Sequence, residues 1–184
     1  MGQREKHAMK RILLGLLGLV VLIFALGFVL PDKAHVERSV VINAPQEEIF
    51  ALVADLNNAD KWQAWSEYDP EMTSSVSGAG VGQKQSWTSK KMGSGSQTIA
   101  ALSPPSRVDY ALEFGKMGVA TATMTLEPAP EGTKVVWSFD SNMRKGVPFH
   151  MQPMSTYMGF FMDGMLGKDY EKGLSNLKRV AEAG

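Results

Sequence analysis

The chain contains no cysteine and only three histidines among its 184 residues. The absence of cysteine excludes disulfide bonds, thiolate nucleophiles and cysteine-ligated metal sites. His7 and His35 flank an apolar segment near the N-terminus, so His150 is the one histidine placed to act beside a cavity. The sequence also lacks a Gly-x-Ser-x-Gly motif, and nucleophilic catalysis therefore has little support.

Excess charge is also absent, because the chain has 19 basic and 19 acidic residues. Residues 1–31 carry a net charge of +3, and the remainder of the chain carries −3. A nucleic-acid-binding surface requires lysines and arginines clustered on the folded part of a protein. The charge distribution therefore gives no sign of a nucleic-acid partner.

An apolar run at residues 12–30 contains 19 residues without a charge. At about 1.5 Å per residue, a helix of this length crosses the ~30 Å hydrocarbon layer of a bilayer. Basic residues crowd its N-terminal side, which predicts a cytoplasmic N-terminus, residues 1–11, and an extracytoplasmic domain. We therefore expect a single-pass anchor in the inner (cytoplasmic) membrane, with the lipid bilayer as a partner.

A cleaved signal peptide is the alternative interpretation of the same run. Its apolar region is normally about 7–15 residues long and is followed by a small-x-small cleavage site. Ala25-Leu-Gly27 has that pattern, but it lies inside the apolar run. An uncleaved anchor followed by a linker, residues 31–35, is the reading that we favour.

Residues 36–182 read as one α+β domain. Residues 36–43 alternate as a first strand, and Pro45 opens an amphipathic helix. Residues 72–140 form short alternating segments separated by glycine and proline turns, which predicts a meander of antiparallel strands. After Asp140 the spacing becomes helical, and we expect a break near Gly164 and Gly167. A long helix that covers one face of a curved sheet leaves a natural cavity between the two.

Six of the twelve methionines lie between residues 143 and 165. Met151, Met154 and His150 form the best cluster for a soft metal such as Cu(I). However, Met154, Met158, Met162 and Met165 follow helical spacing, and a stripe on the core face of a helix explains them without a metal. Unbranched methionines also suit the adaptable wall of a ligand pocket. No metal or cofactor is therefore expected.

The segment VERSVVINAPQEEIFALVADLNNADKWQAW, residues 36–65, resembles the opening of the START-like superfamily, also called SRPBCC or helix-grip. The likeness rests on a strand that ends in Asn43-Ala44-Pro45, on Asp55, and on a Trp-x-x-Trp pair at Trp62 and Trp65. FMDGMLGKDYEKGLSNLK resembles the C-terminal helix of the group. The resemblance implies six or seven antiparallel strands wrapped around that helix. It also indicates a polyketide cyclase/dehydrase-like protein with an N-terminal membrane anchor.

Arg38 is the polar candidate for the cavity, because it shares the inner face of the first strand with Val36 and Val40. A charge at such a position binds an acidic ligand or pairs with a neighbouring acid. The other candidates are large apolar or aromatic residues on the inner faces of the strands and the helix, together with one histidine. These expected lining residues are Trp87, Tyr110, Phe114, Met124, Trp137, His150, Met154, Phe161 and Met165.

No convergent catalytic set accompanies these apolar faces. We therefore expect a membrane-anchored domain that binds a hydrophobic small molecule or lipid between sheet and helix, without catalysis. One alternative is a cyclase or dehydratase that holds a polyketide-like substrate, with Arg38 or His150 as polar contacts. Another is a domain that docks an unknown protein partner in the bacterial envelope, marked by an exposed apolar patch.

Overall fold

The computed structural model describes residues 3–184, without the side chains of residues 3–6 and Ser66. The first two residues of the expected cytoplasmic segment lie outside that range. The helices are α1 (Gln3–Leu26), α2 (Gln46–Val53), α3 (Ala59–Trp62), α4 (Trp65–Tyr68), α5 (Gln152–Gly159) and α6 (Met162–Ala181). The strands are β1 (Lys33–Ile42), β2 (Thr73–Ser77), β3 (Lys84–Ser89), β4 (Gly93–Ser103), β5 (Arg107–Glu113), β6 (Val119–Ala129) and β7 (Gly132–Asn142).

The strands form one seven-stranded antiparallel sheet in the order β1-β7-β6-β5-β4-β3-β2. The prediction of a meander is confirmed, because consecutive strands from β2 to β7 are neighbours and only β1 joins from a distance. The pairing of β4 with β5 shifts register between Ile99 and Ala101. Such a bulge bends a strand and increases its twist, which suits the curvature of the sheet.

The core lies between the concave face of the sheet, α2 and α6. The predicted alternation is confirmed in the later strands, where Val108, Met124 and Val135 are fully buried. From α6, Leu174 and Leu177 fill the space above the sheet. The helix packs most closely on β1, so the C-terminal half of α6 seals one side of the sheet.

The N-terminal helix α1 stands apart from this core. Its segment His7–Leu26 is long and apolar enough to cross a membrane, and none of it is buried against the domain. The helix ends at Leu26, and β1 begins at Lys33, so part of the expected linker belongs to the first strand. Residues 27–30 nevertheless touch the domain, since Arg144 Nη2 donates to the carbonyls of Gly27 and Leu30, at 3.1 and 2.5 Å.

The helical region after β7 differs from the sequence-based expectation. The break falls at Phe160 and Phe161, where α5 ends and α6 begins, rather than at Gly164 or Gly167. Met154 is 68% exposed and Met165 is 55% exposed. The interpretation of the methionines as one core stripe is wrong, because two separate helices carry them and helical spacing defines a face only within one continuous helix.

Candidate ligand cavity

A cavity of about 330 Å³ lies between the sheet and the first turns of α6. Strand pairing locates the cavity along the sheet. One row of paired residues runs across the strands from the cavity residue Gln85 through Gln97, Leu112 and Ala120. The row continues through Ser141 to Ala34, near the start of β1. The cavity is therefore at the end of the sheet from which the N-terminal helix departs.

The walls of the cavity come from three parts of the fold. Strands β3 to β5 and β7 form the floor, the start of α6 forms the roof, and the α3–α4 region with the β3–β4 turn forms the sides. Most of the lining is apolar, and the volume lies at the lower end of the range of small-molecule sites. The lining residues are Asp60, Gln63, Trp65, Met72, Gln85, Trp87, Met92, Gln97, Leu112, Phe114, Phe139, Met162, Met165, Leu166, Asp169 and Tyr170.

Three glutamines form a buried polar cluster in this wall. Gln63, Gln85 and Gln97 are each at most 6% exposed. Gln97 Nε2 donates to Gln85 Oε1 at 2.5 Å and to Gln63 Oε1 at 3.1 Å, and Gln85 Nε2 donates to Ser74 Oγ at 3.1 Å. Carboxamides offer both donors and acceptors without a charge, so the cluster suits a neutral polar group on an otherwise apolar ligand.

Aromatic side chains form the apolar part of the floor. Trp87 and Phe114 meet edge to face, with ring centroids 6.2 Å apart. Tyr170 lines the roof, and its ring stacks on Trp137 at 3.7 Å. Burial raises the pKa of the Tyr170 hydroxyl, so this residue stays neutral. The aromatic surface is therefore rigid and uncharged.

Two carboxylates, Asp60 and Asp169, border the cavity. Asp60 is exposed and Asp169 is half-buried, which places them at the mouth of the cavity rather than in its apolar interior. Within residues 3–184, no three histidine or acidic side chains come together in a way that would hold a metal ion. The interior chemistry is therefore that of neutral amides and aromatic rings.

The sequence matches the model of a family described as "Polyketide cyclase / dehydrase and lipid transport" over residues 33–182. The chain belongs to this family. No protein of curated function matches it. The family assignment confirms the resemblance noted in the sequence.

Solved structures that are similar to this chain confirm its helix-grip fold. Protein CV1439 from Chromobacterium violaceum is 22% identical, with a TM-score of 0.52, over 81% of this chain and 98% of that one. Protein MLL2253 from Mesorhizobium loti is 17% identical, with a TM-score of 0.55, over 79% and 97% of the two chains. The di-domain ARO/CYC protein StfQ from the steffimycin biosynthetic pathway is 12% identical, with a TM-score of 0.62, over 83% of this chain and 52% of that one.

Three of the residues expected to line the cavity of the present protein do so, namely Trp87, Phe114 and Met165. Trp87 and Phe114 follow the alternation of β3 and β5 onto the concave face. Met165 lies in the first turn of α6, where the helix overhangs the sheet. A ligand contact at these residues remains a prediction.

Arg38 lies outside the cavity and pairs with acids of α6. Its Nη1 is 2.8 Å from Asp163 Oδ1, and its Nε is 2.7 Å from Glu171 Oε1. These hydrogen bonds lower the pKa of Asp163 and raise the pKa of Arg38. Because β1 is an edge strand, its inward side chain reaches solvent beside α6 instead of the cavity.

Tyr110, Met124 and Trp137 belong to the packed core rather than to the cavity lining. The Tyr110 hydroxyl donates to the carbonyl of Val53 at 2.6 Å and so ties β5 to α2. Met124 is fully buried. Trp137 lies behind Tyr170 and is close to Trp62, with ring centroids 5.1 Å apart. Helix packing closes the space over these central strands.

His150, Met154 and Phe161 are exposed outside the cavity. His150 belongs to the 3₁₀ turn Phe149–Met151, and Met154 belongs to α5. Phe161 is 65% exposed at the junction of α5 and α6. The break at this junction separates α5 from the helix that covers the cavity, so these residues form an exposed surface instead of part of the lining.

Sequence reasoning missed the glutamine cluster. The period of two in β3 places Gln85 on the same face as Trp87, so the strand pattern contained a signal for Gln85. Gln97 faces Gln85 only through the register of β3 with β4, and Gln63 reaches them from the C-cap of α3. No local pattern predicts those two contacts.

Proposed function

We propose that this protein is a membrane-anchored domain that binds a hydrophobic small molecule or lipid in the cavity between the sheet and α6, without catalysing a reaction. The observation that carries this proposal is the composition of the cavity wall, where aromatic and methionine side chains surround three neutral glutamines. An apolar ligand with one hydroxyl, carbonyl or ester group fits such a wall. The description of the family, which includes lipid transport, supports the same ligand class.

The anchoring part of the proposal is supported by how the end of α1 meets the domain. A Cβ built on Gly27 would lie 2.5 Å from the Cβ of Pro153, so the two backbones are in contact. Phe28 stacks on Phe149, with ring centroids 4.8 Å apart. Cleavage after Gly27 would separate Gly27 from Pro153, whereas Phe28 would stay on Phe149. An uncleaved anchor therefore accounts for the Gly27 contact better than a signal peptide does. The basic residues before the span favour a cytoplasmic N-terminus and a domain outside the inner membrane.

A cyclase or dehydratase is the second candidate, and Asp60 and Asp169 are the observation that favours it. They are the acidic groups in the cavity lining, and proton transfer requires an ionisable group within reach of the substrate. Against this candidate, Asp60 is exposed and Asp169 is half-buried, so neither carboxylate is enclosed in the apolar interior. The family description and the ARO/CYC relative keep this reaction class as the alternative.

Ligand extraction from the purified full-length protein tests the proposal. Mass spectrometry of the extract should recover an apolar compound, and Leu166→Trp should reduce its amount because the indole would occupy the cavity. Val81→Trp is the matched control, since Val81 is 63% exposed and lies at the opposite end of the sheet. An empty wild-type protein, or equal recovery from both variants, would contradict ligand binding in this cavity. Recovery of a chemically altered compound after incubation would favour the enzyme instead.

A further inference from the structure

A group of exposed apolar side chains lies between the last strand and α6. Outside α1, six large apolar residues within 149–161 are exposed to solvent. Burial of apolar surface is favourable, and monomeric soluble proteins rarely leave a large apolar patch uncovered. We call this surface the 149–161 face, and it consists of Phe149, Met151, Met154, Met158, Phe160 and Phe161.

The composition of this segment is as unusual as its exposure. Residues 148–162 contain no aspartate, glutamate, lysine or arginine. A solvated surface helix normally carries charges on its outer side, whereas α5 carries methionines there. Lys145 is exposed three residues before the segment, and a cation suits the headgroup layer of a membrane that contains anionic lipids. The pattern is that of an element that lies in the interface of a bilayer.

The contacts of α5 fix its position relative to the expected membrane span. The Tyr157 hydroxyl donates to the carbonyl of Ile23 at 2.7 Å, and Pro153 lies against Gly27. Ile23 is in the last turn of α1, and this turn is the C-terminal end of the candidate span His7–Leu26. An element packed on that turn lies at the depth where a spanning helix leaves the hydrocarbon layer. Tyrosine is also enriched at this depth.

We propose that the 149–161 face docks on the lipid bilayer beside the exit of α1, so that the domain contacts the membrane at two places. The inference rests on the proposed anchoring of α1, and it goes beyond that proposal because it names the surface of the domain that contacts lipid. Continuity with the end of α1 selects the bilayer over a second copy of this chain or another protein. The contacts of α5 with the end of α1 hold the 149–161 face beside the bilayer that α1 spans.

Docking also orients the cavity. Met165 lies one turn into α6, lines the cavity and is 55% exposed, so it connects the 149–161 face to the cavity mouth. The row from Gln85 to Ala34 places the cavity at this same end of the sheet. In the docked state the mouth adjoins the lipid headgroups, and an apolar ligand passes between bilayer and cavity with little exposure to water.

Site-directed fluorescence on the full-length protein tests this proposal, since the chain has no native cysteine. Single-cysteine variants Met154→Cys and Phe160→Cys are labelled with an environment-sensitive dye and reconstituted in phosphatidylcholine–phosphatidylglycerol vesicles. Val81→Cys is the distal control, and Leu19→Cys reports on the span itself. We expect blue-shifted emission and quenching by nitroxide-labelled lipids at positions 154 and 160, and neither effect at position 81.

The outcomes separate this inference from the proposal on which it rests. Lipid quenching at position 19 with only aqueous iodide quenching at positions 154 and 160 would overturn docking and leave the anchor intact. Loss of lipid quenching at position 19 would refute the anchor and the docking together. A blue shift at positions 154 and 160 that depends on protein density, without lipid quenching, would identify a second copy as the occupant and would also overturn the proposal. None of these readouts requires a ligand in the cavity.

Discussion

At the scale of single residues, the glutamine cluster determines what the cavity can accept. Gln97 is its centre, because one amide nitrogen serves the oxygens of both Gln85 and Gln63. A buried amide that has lost its partner keeps its desolvation cost without compensation. The three side chains therefore hold one another in place and leave their remaining donor and acceptor positions for a ligand.

Gln97→Met tests this role, since methionine is similar in length and removes the amide. The free energy of unfolding should fall by about 1–3 kcal/mol, because the oxygens of Gln85 and Gln63 lose their shared donor. Denaturant unfolding of the full-length protein in detergent measures the change. Gln152→Met is the control, since the Gln152 side chain is only half-buried and makes one hydrogen bond, to the carbonyl of Val147 at 3.2 Å. A Gln97→Met protein as stable as wild type would contradict the cluster.

At the scale of elements, two glycines of α6 have opposite surroundings. A Cβ built at Gly164 would meet no atom within 4 Å, whereas one built at Gly173 would lie 2.8 Å from Cζ3 of Trp137. The Trp137 ring cannot retreat, because it stacks on Tyr170 on one side and contacts Trp62 on another. Gly173 is therefore a point where α6 lies directly on the Trp137 ring, and Gly164 lies where the helix faces solvent.

The paired substitutions Gly164→Ala and Gly173→Ala should change stability in opposite directions. Gly164→Ala should stabilise the protein by up to about 1 kcal/mol, because alanine is the better helix former. Gly173→Ala should destabilise it by about 1–3 kcal/mol, because the added methyl overpacks the core against Trp137. Thermal and denaturant unfolding of both variants measures the difference. Equal effects from the two substitutions would show that α6 does not lie on Trp137 as described.

The break between α5 and α6 changes the meaning of the methionine-rich segment. Within one helix, Met154, Met158, Met162 and Met165 would share a face. The turn at Phe160 and Phe161 divides them, so Met162 and Met165 line the cavity and Met154 and Met158 face outward. The sequence predicts a break, but not the position that sends these two pairs to different surfaces.

At the scale of the whole molecule, the domain is attached to α1 through several contacts instead of a flexible tether. Arg144 donates to carbonyls that follow α1, and it also donates to Thr156 Oγ1 of α5 at 3.1 Å. Asp32 Oδ2 lies 3.8 Å from Arg144 Nη1. These contacts hold α1, α5 and the start of β1 together, and they give the domain a defined orientation relative to the helix.

Cysteine accessibility in intact spheroplasts tests the proposed topology. Glu131→Cys should react with a membrane-impermeant maleimide from outside, because Glu131 is in the domain that we propose to be extracytoplasmic. Ala8→Cys should react only after the membrane is opened, because the basic residues of the N-terminus remain in the cytoplasm. The reverse pattern would contradict the orientation. Absence of residue 8 from the mature protein would instead identify a cleaved signal peptide.

The sequence by itself determined the class of the fold and most of its elements. Hydrophobic alternation in β5, β6 and β7, the apolar run 12–30 and the helical spacing after Asp140 are local patterns, and each depends on residues close together in the chain. The family likeness of residues 36–65 extended these patterns to the sheet wrapped around α6. Phe114 was selected from the alternation that runs through β5, and Trp87 was selected as a large aromatic residue in a predicted strand of this fold.

Only the tertiary structure decided the polar part of the cavity and the role of the charged candidate. Gln97 meets Gln85 through strand register, and Arg38 meets Asp163 across more than a hundred residues of sequence. Such contacts depend on which elements become neighbours and on where a helix breaks. The local spacing of apolar residues specifies neither of these. For the same reason the chain alone indicates an apolar helix and a domain, whereas the packing of α5 on the end of α1 decides which face of the domain lies beside that helix.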